Sequence, residues 1–369
     1  MASCVAIFRK RLLSYSETFI ADQGQLLPNY RPVYCGFHRD VSGIEMISGS
    51  TRILLEDHSN FAFAEKLMFR FGISSSRKWL DKIRRQHPDL IHAHFFNDGL
   101  DAVRLGDKLD LPVITTVHGH DITKHENAIA QGSTNRRFFD RVDRIIAVSE
   151  FMAKQALAPG CPENKLLQHY IGIDLDKFTQ QKDESEQPSL LFVGRLVEKK
   201  GCTYLLQAME HLQKRFPDLQ LTIMGEGELK STLQQEAVAR QLNARFTGAA
   251  TAAEIRQQLA RCWLFVAPSI TAASGDMEGL GMVFLEAQAL QTPVVSFRSG
   301  GLVEAVEEDK TALLSTEKDV SGLTENIARL LENSTLRHNM GAEGRKRVEE
   351  NFDVRKQCAK LEMIYAKLS

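Results

Sequence analysis

Short apolar runs alternate along this chain with longer stretches in which apolar residues recur every three or four positions. The runs Cys4-Val-Ala-Ile-Phe8, Pro32-Val-Tyr-Cys35, Leu90-Ile-His-Ala93, Val113-Ile-Thr-Thr-Val117 and Ile145-Ile-Ala-Val148 predict strands, and the helical patterns between them predict βαβ units. After the first strand comes a basic turn, Arg9-Lys-Arg11. Ser14-Tyr-Ser-Glu17 then has the signature of a capping box for a helix that runs to Leu27 and stops at Pro28. Ser149 is the expected cap of a later helix. A strand-like run over 168–173 leads to Gln180-Gln-Lys-Asp-Glu-Ser-Glu-Gln-Pro188, which is polar, has no periodicity and reads as the linker of the chain. Beyond it the alternation restarts, with a strand at Ser189-Leu-Leu-Phe-Val193, a helix over 203–216, a strand at Leu219-Gln-Leu-Thr-Ile223 and a helix over 228–241. The pattern predicts an α/β chain of two doubly wound parallel-sheet domains, 1–177 and 178–353, joined by one short hinge with a cleft between their strand ends.

The stretch that carries most chemistry lies in the second half. Trp263-Leu-Phe-Val-Ala267 reads as a buried strand, and the chain passes through Ser269-Ile-Thr-Ala-Ala-Ser-Gly-Asp-Met-Glu278-Gly-Leu-Gly-Met-Val-Phe-Leu-Glu286 into an apolar helix before a further strand, Val294-Val-Ser-Phe297. In open α/β sheets ligands sit outside the carboxyl ends of the strands, where a helix N-terminus offers unpaired N–H groups and partial positive charge to phosphate. Glu278 in the loop and Glu286 about one turn into the helix can then face one pocket, with the amides near Met282 facing an anion. Carboxylates suit the hydroxyls of a sugar; amides suit a diphosphate. Two glutamates eight residues apart also arise by chance, so the glycines at a strand-to-helix turn carry this reading rather than the spacing.

Phe192-Val-Gly194-Arg195 places an arginine where a strand tip meets ligand, and Lys200 precedes Gly201 at a helix start. A guanidinium fork and a lysine point charge converging there suit a diphosphate, although basic residues at strand ends are as commonly surface decoration. Met224-Gly-Glu-Gly-Glu228 begins like a dinucleotide fingerprint, but Lys230 occupies the place of the third glycine, which counts against a dehydrogenase.

Two histidine pairs stand out, His92 with His94, and His118 with His120 in Val117-His-Gly-His-Asp121. Each pair is expected to be split between opposite sides of its extended segment, which argues against a zinc site. His118 is expected at a strand's carboxyl end, donating a hydrogen bond to a polar ligand; the other reading has all four capping loops or filling the domain edge. Between Lys66 and Arg85, seven cations face a single Asp81 and are interleaved with Phe69, Phe71, Trp79 and Ile83. That composition suits an interfacial helix resting on an anionic leaflet, and it also suits a solvated helix face with an ordinary apolar back.

Composition narrows the classes. With 369 residues, 43% of them hydrophobic, the chain can bury more than one large core, and a net charge of -1 supplies no global field for nucleic acid. The six cysteines lack C-x-x-C spacing and read as reduced thiols of a cytoplasmic protein. No apolar run approaches the length of a bilayer span, and the N-terminus enters a strand rather than a signal sequence.

Taken in order, Gly194-Arg195 with Lys200-Gly201, Gly225-Glu226-Gly227, Pro268-Ser269, the Glu278-x7-Glu286 spacing, Pro293-Val-Val295 and Gly300-Gly301 with Glu304 resemble the donor half of retaining GT-B glycosyltransferases of family 4. Ile91-His-Ala-His94, Thr116-Val-His118-Gly and Val148-Ser-Glu150 resemble that family's acceptor half. Ser14-Tyr-Ser-Glu-Thr-Phe-Ile20 stands where many members carry a glycine-rich loop, and it resembles the bacterial exopolysaccharide, colanic-acid-type branch. The resemblance implies a GT-B fold, two Rossmann-like domains facing each other across a cleft, with a last helix over 354–369 crossing back onto the first domain.

It also implies roles. Arg195 and Lys200 would hold the donor diphosphate, Glu286 the ribose hydroxyls, and Glu278 the donor sugar near its anomeric centre. The amides of Gly279, Leu280, Gly281, Met282 and Val283 would bind sugar hydroxyls and phosphate, Gly225, Glu226, Gly248 and Ala249 would flank the base, and His118 would reach the sugar from the first domain. Ser16, Glu17, His94 and His120 fall on the acceptor side. The implied activity is hexosyl transfer with retention, without metal or cofactor, from UDP-glucose or a similar nucleotide-diphosphate sugar to a saccharide or lipid-linked saccharide in exopolysaccharide biosynthesis. The setting would be the cytoplasm, with Lys66 to Arg85 as the segment for contact with the inner membrane surface. Two other classes fit the same donor site: a nucleotide-sugar epimerase, which converts donor without acceptor, and a non-catalytic nucleotide-sugar-binding protein.

Overall fold

The computed structural model describes residues 3–71, 76–119, 133–158, 160–179 and 182–368. The chain forms two compact units, Met1–Gly172 with Val354–Ser369, and Ile173–Asp353. Unit 1 holds seven strands, β1 (Ser3–Arg11), β2 (Tyr30–His38), β3 (Thr51–Leu54), β4 (Leu90–His94), β5 (Val113–Val117), β6 (Arg144–Ala147) and β7 (Leu166–Gln168), in the order β3-β2-β1-β4-β5-β6-β7. Unit 2 holds six, β8 (Ser189–Val193), β9 (Gln220–Met224), β10 (Ala244–Gly248), β11 (Leu264–Val266), β12 (Val294–Phe297) and β13 (Ala312–Ser315), in the order β10-β9-β8-β11-β12-β13. The ladders that join them are parallel. Within each sheet the strand order reverses beside the first strand, between β1 and β4 in unit 1 and between β8 and β11 in unit 2; ligands of such folds bind at that switch point. Every residue of β4, β5, β11 and β12 is buried, as befits strands covered on both faces, and this is why they read as continuous apolar runs.

Several local expectations are corrected. Arg9-Lys-Arg11 is not a turn, because β1 continues through Arg11. The helix after it starts at Thr18 rather than near Ser14. The capping box is half made: Glu17 accepts from the Ser14 N–H at 3.1 Å, but the Ser14 hydroxyl lies 3.3 Å from that of Ser16 instead of capping the helix. Glu17 is engaged by Arg9, a charged partner that outcompetes neutral capping geometry. The strand expected over 168–173 is β7, which ends at Gln168, and Ile173 forms an isolated bridge with Asp353.

The polar stretch read as a linker is fastened to unit 2 from Lys182 onward; Gln180 and Gln181 lie outside the described residues. The half-buried Lys182 donates from its ammonium to the carbonyls of Leu259 and Cys262 and to the Thr292 hydroxyl, the last at 2.7 Å. Glu184 accepts from Arg337 at 3.0 Å, and that guanidinium sits 4.0 Å over the Trp263 ring. Polar composition here reflects ion pairing rather than freedom.

The basic stretch forms two helices, Ala62–Arg70 and Arg77–Arg84, with residues 72–75 outside those described. Phe69, Trp79 and Ile83 are buried, the first two packing their rings against Phe37. Of the interleaved apolar residues Phe71 is exposed, and it is joined by Phe61, Phe63 and Leu67, which the pattern did not single out. The last helix, Val354–Tyr365, lies in the core of unit 1: Cys358, Leu361 and Tyr365 pack with Leu12 and Ile20, and Glu362 accepts from the N–H groups of Asn29 and Tyr30 at 2.7 and 2.9 Å.

Candidate active site

The motifs of the second half collect at the carboxyl ends of the unit 2 strands. Arg195 and Lys200 follow β8, Gly225 and Glu226 follow β9, Gly248 ends β10 with Ala249 next, Glu278 follows β11, and Gly300 follows β12. The loops after β8 and β11 flank the switch point. A short turn, Glu198–Lys200, ends at Gly201, whose φ is +63° and where a β-carbon would meet the Pro268 carbonyl oxygen at 1.9 Å. Glycine alone lets this turn close on the loop after β11. Gly300, at φ +53°, is equally constrained, since a β-carbon would lie 2.5 Å from the Glu278 carbonyl oxygen, and the Gly301 N–H donates to that carbonyl at 2.8 Å.

With its backbone held there, Glu278 meets Lys200 through a 2.6 Å ion pair in which each side chain is 13% exposed. Burial alone would raise the Glu278 pKa. The Lys200 and Lys199 ammonium groups, the hydrogen bond from Lys200 and the Arg195 guanidinium outweigh it and bring the value down to about 2. Glu278 is therefore a carboxylate across the physiological range, a hydrogen-bond acceptor for hydroxyls and not a proton donor. An ammonium carries three N–H bonds, so Lys200 can hold Glu278 and still donate to an anion, while Arg195 is exposed and open to one. The helix Met282–Ala289 starts from Gly281, at φ +83°, and among the described residues no side chain caps it. Its first-turn amides, from Met282 and Val283, thus face the loop of Gly279 and Leu280, and the half-buried Glu286 sits one turn further on. Glu226 is exposed and paired with Lys230 at 2.6 Å.

In unit 1 the histidines do not split between faces. Residues two apart on a strand share a face, and the His92 and His94 rings lie 4.4 Å apart on β4. His92 uses both nitrogens inside the protein, Nδ1 toward the Tyr365 hydroxyl at 2.6 Å and Nε2 toward the Thr116 hydroxyl at 2.7 Å. His94 Nδ1 is 3.2 Å from His118 Nε2, and among the described residues His94 Nε2 has no hydrogen-bond partner. His118 follows β5 and packs its ring against Phe19 and Phe95. Burial lowers the pKa of all three, to about 3 for His92, and lowers His169 to about 4. His120 lies outside the described residues.

Two networks escaped the sequence. Arg9 bonds Glu17 at 2.6 Å and Asp98 at 2.5 Å with its guanidinium 4.4 Å from the Phe95 ring, so the loop that exposes Ser16 is held through Glu17. Lys199 pairs with Asp276 at 2.9 Å. The signal for the first was an arginine ending an apolar run. The second had none, because adjacent lysines look alike.

Parallel sheets of this order, with charged motifs gathered at their strand ends, define the GT-B class. The chain matches the structure of Anabaena Alr3699/HepE in complex with UDP and glucose with a TM-score of 0.78 at 17% identity over 100% of both chains. It matches sucrose-phosphate synthase from Thermosynechococcus elongatus with a TM-score of 0.77 at 18% identity over 99% of each. Residues 174–347 match the family model of glycosyl transferases group 1, and residues 34–177 match that of Glycosyltransferase Family 4. Over 272 residues the chain is 30% identical to the amylovoran biosynthesis glycosyltransferase AmsK of Erwinia amylovora, covering 71% of this chain and 67% of that one. Over 264 residues it is 31% identical to the GDP-mannose-dependent alpha-(1-6)-phosphatidylinositol monomannoside mannosyltransferase of Mycolicibacterium smegmatis, covering 68% of each. The protein belongs to the group 1, family 4 glycosyltransferases.

Proposed function

We propose that this glycosyltransferase moves a hexose, with retention of anomeric configuration, from a UDP-sugar, UDP-glucose first among them, to a hydroxyl of a lipid-linked saccharide in exopolysaccharide biosynthesis. The observation that carries the reading is the Lys200–Glu278 pair at the switch point of unit 2, with Arg195 beside it. AmsK, named for amylovoran biosynthesis, and the HepE complex with UDP and glucose support the pathway class and the donor.

In this reading Arg195 and Lys200 neutralise the departing diphosphate, the task a divalent ion performs elsewhere, so no metal is needed. Glu286 holds the ribose, Gly225, Glu226, Gly248 and Ala249 flank the base, the amides from Gly279 to Val283 take phosphate and sugar hydroxyls, and His118 contacts the donor sugar. The bond from the anomeric carbon to the phosphate oxygen breaks as the acceptor oxygen attacks from the same face, and the acceptor proton passes to that phosphate oxygen. Glu278, ionised and engaged by Lys200, serves as an electrostatic and hydrogen-bonding partner of the oxocarbenium-like sugar rather than as a nucleophile.

A thermal-shift screen followed by transfer assays in excess EDTA tests this. UDP-glucose is expected to raise the melting temperature by mass action, and transfer with an α-configured product is expected without added metal. Stabilisation by GDP-mannose alone would replace the donor, and a strict requirement for Mg2+ or Mn2+ would end the metal-free mechanism. Conversion of donor without acceptor would mark an epimerase, and binding without turnover a sensor.

The reading extends to contact with an anionic membrane surface. Among the described residues no helix is long and apolar enough to cross a membrane. Phe61, Phe63, Leu67 and Phe71 are exposed, however, and Arg77, Lys78, Lys82 and Arg84 are exposed on the neighbouring helix, as is Arg85 just beyond it. The protein is expected to sediment with vesicles containing phosphatidylglycerol at low salt, and the double change Phe61→Ser with Phe63→Ser is expected to release most of it. Equal binding to purely neutral vesicles would remove the electrostatic part of the proposal.

A further inference from the structure

The loop between β11 and the helix Met282–Ala289 is held by its neighbour, the turn Glu198–Lys200, residue by residue. Glu198 accepts from the Ala273 N–H at 3.1 Å, and the Lys199 carbonyl accepts from the Ile270 N–H at 2.8 Å. The Lys199 ammonium donates to Asp276 at 2.9 Å and to the Met277 carbonyl at 3.4 Å, and the Lys200 ammonium donates to Glu278. From the other side, Glu317 accepts from the N–H and hydroxyl of Thr271 at 3.1 and 2.9 Å. Two adjacent lysines therefore meet two carboxylates two residues apart, in the same order along both segments.

The Lys199 and Asp276 side chains are 7% and 12% exposed. A pair so far from water contributes little net stability, because desolvation offsets most of its attraction, and its best-attested use is to fix register. Here register matters, since Asp276 and Glu278 compete for the same two cations. With Lys199 removed, Lys200 is the near cation for both carboxylates, and an alternative pairing with Asp276 leaves Glu278 without its partner.

We propose that Lys199 is a positioning residue, whose ion pair with Asp276 sets the register in which Glu278 meets Lys200 at the donor site. It acts without touching the donor, because its side chain is 7% exposed and turned to Asp276 and the Met277 carbonyl. The inference rests on the assignment of Lys200 and Glu278 to the donor diphosphate and sugar.

Steady-state kinetics with varied donor test it on Lys199→Met, Asp276→Asn, the double variant and Lys199→Arg, with unfolding of unit 2 followed through Trp263. Lys199→Met is expected to lower kcat about 30-fold while the donor KM moves less than about threefold, since the nucleotide grip remains. Asp276→Asn is expected to behave alike, the double variant to be no worse than either single one, and Lys199→Arg to restore most of the turnover. A lowered melting temperature with unchanged kcat per folded molecule would overturn the proposal, as would a raised KM at unchanged kcat, which would make Lys199 a donor contact. Should Lys199→Met fail to fold, Asp276→Asn and Lys199→Arg carry the same comparison. A wild-type protein that neither binds nor transfers from a nucleotide sugar would overturn the functional reading and this inference together; wild-type transfer with an indifferent Lys199→Met would overturn this inference alone.

Discussion

Replacing Lys200 with alanine is expected to lower turnover at saturating donor by at least about a hundredfold, and replacing Arg195 with alanine to do the same, as loss of one preorganised charge at a transition state does. A hundredfold corresponds to about 2.7 kcal/mol of transition-state stabilisation. The two changes should differ in everything else. Arg195 is exposed, so its loss leaves the folded state nearly untouched. Lys200 is largely buried against Glu278, so its loss leaves that carboxylate short of its nearest cation while burial still opposes its ionisation. The Glu278 pKa then rises from about 2, and the acid limb of the Lys200→Ala rate profile should move to higher pH while that of Arg195→Ala moves less. Turnover against pH for both variants, with circular dichroism as the folding control, separates these effects. Rates like those of the wild type in both would remove the diphosphate assignment.

Acidification from pH 7 to pH 5 is expected to destabilise unit 1 by several kcal/mol and to leave unit 2 nearly unchanged. Burial lowers His92 to about 3 and His169 to about 4, and it also lowers His94 and His118. The unfolded chain titrates these groups near 6.5, so below that pH the unfolded state binds protons that the folded state refuses, and stability falls with falling pH. His92 and His169 each account for about 2 kcal/mol between pH 6.5 and pH 5, and His94 and His118 act in the same direction. In unit 2 the lowered carboxylates are Glu184, Glu254 and Glu278; their contribution is present above about pH 4.5 and is lost only below it, while burial lowers Lys182 from the ordinary lysine range, far above this window. The chain has two tryptophans, Trp79 in unit 1 and Trp263 in unit 2, so fluorescence melts of Trp263→Phe and Trp79→Phe report the units separately. A Trp79 transition that does not move between pH 7 and pH 5 would show that the imidazoles protonate freely within the fold.

What the sequence made legible follows from burial. Strands covered on both faces, such as Val113-Ile-Thr-Thr-Val117, have no polar side to interrupt them and stand out as runs. Lys200 and Glu278 stand out in the sequence because each precedes a glycine, Gly201 and Gly279, near a strand-to-helix turn. Two of the failures share a cause, which is competition between partners that a linear pattern does not display. Ser14 and Glu17 have the spacing of a capping box, but Arg9 reaches Glu17 from a strand that was expected to have ended. The stretch after Gln181 has the composition of a linker, yet Lys182 finds two carbonyls and a hydroxyl, and Glu184 finds Arg337. His92 and His94 were expected on opposite faces of one strand, whereas the strand period of two sets them side by side, where Tyr365 from the far end of the chain joins them.

That last contact has a consequence for how the protein is made. The core of unit 1 includes Val354, Cys358, Leu361 and Tyr365, residues that follow all of unit 2 in the chain. Unit 2 is one continuous stretch and has all its parts as soon as Asp353 is clear of the ribosome. Unit 1 begins first but waits for the final helix before Glu362 can satisfy the Asn29 and Tyr30 amides. The half that is translated first is therefore the half that is completed last.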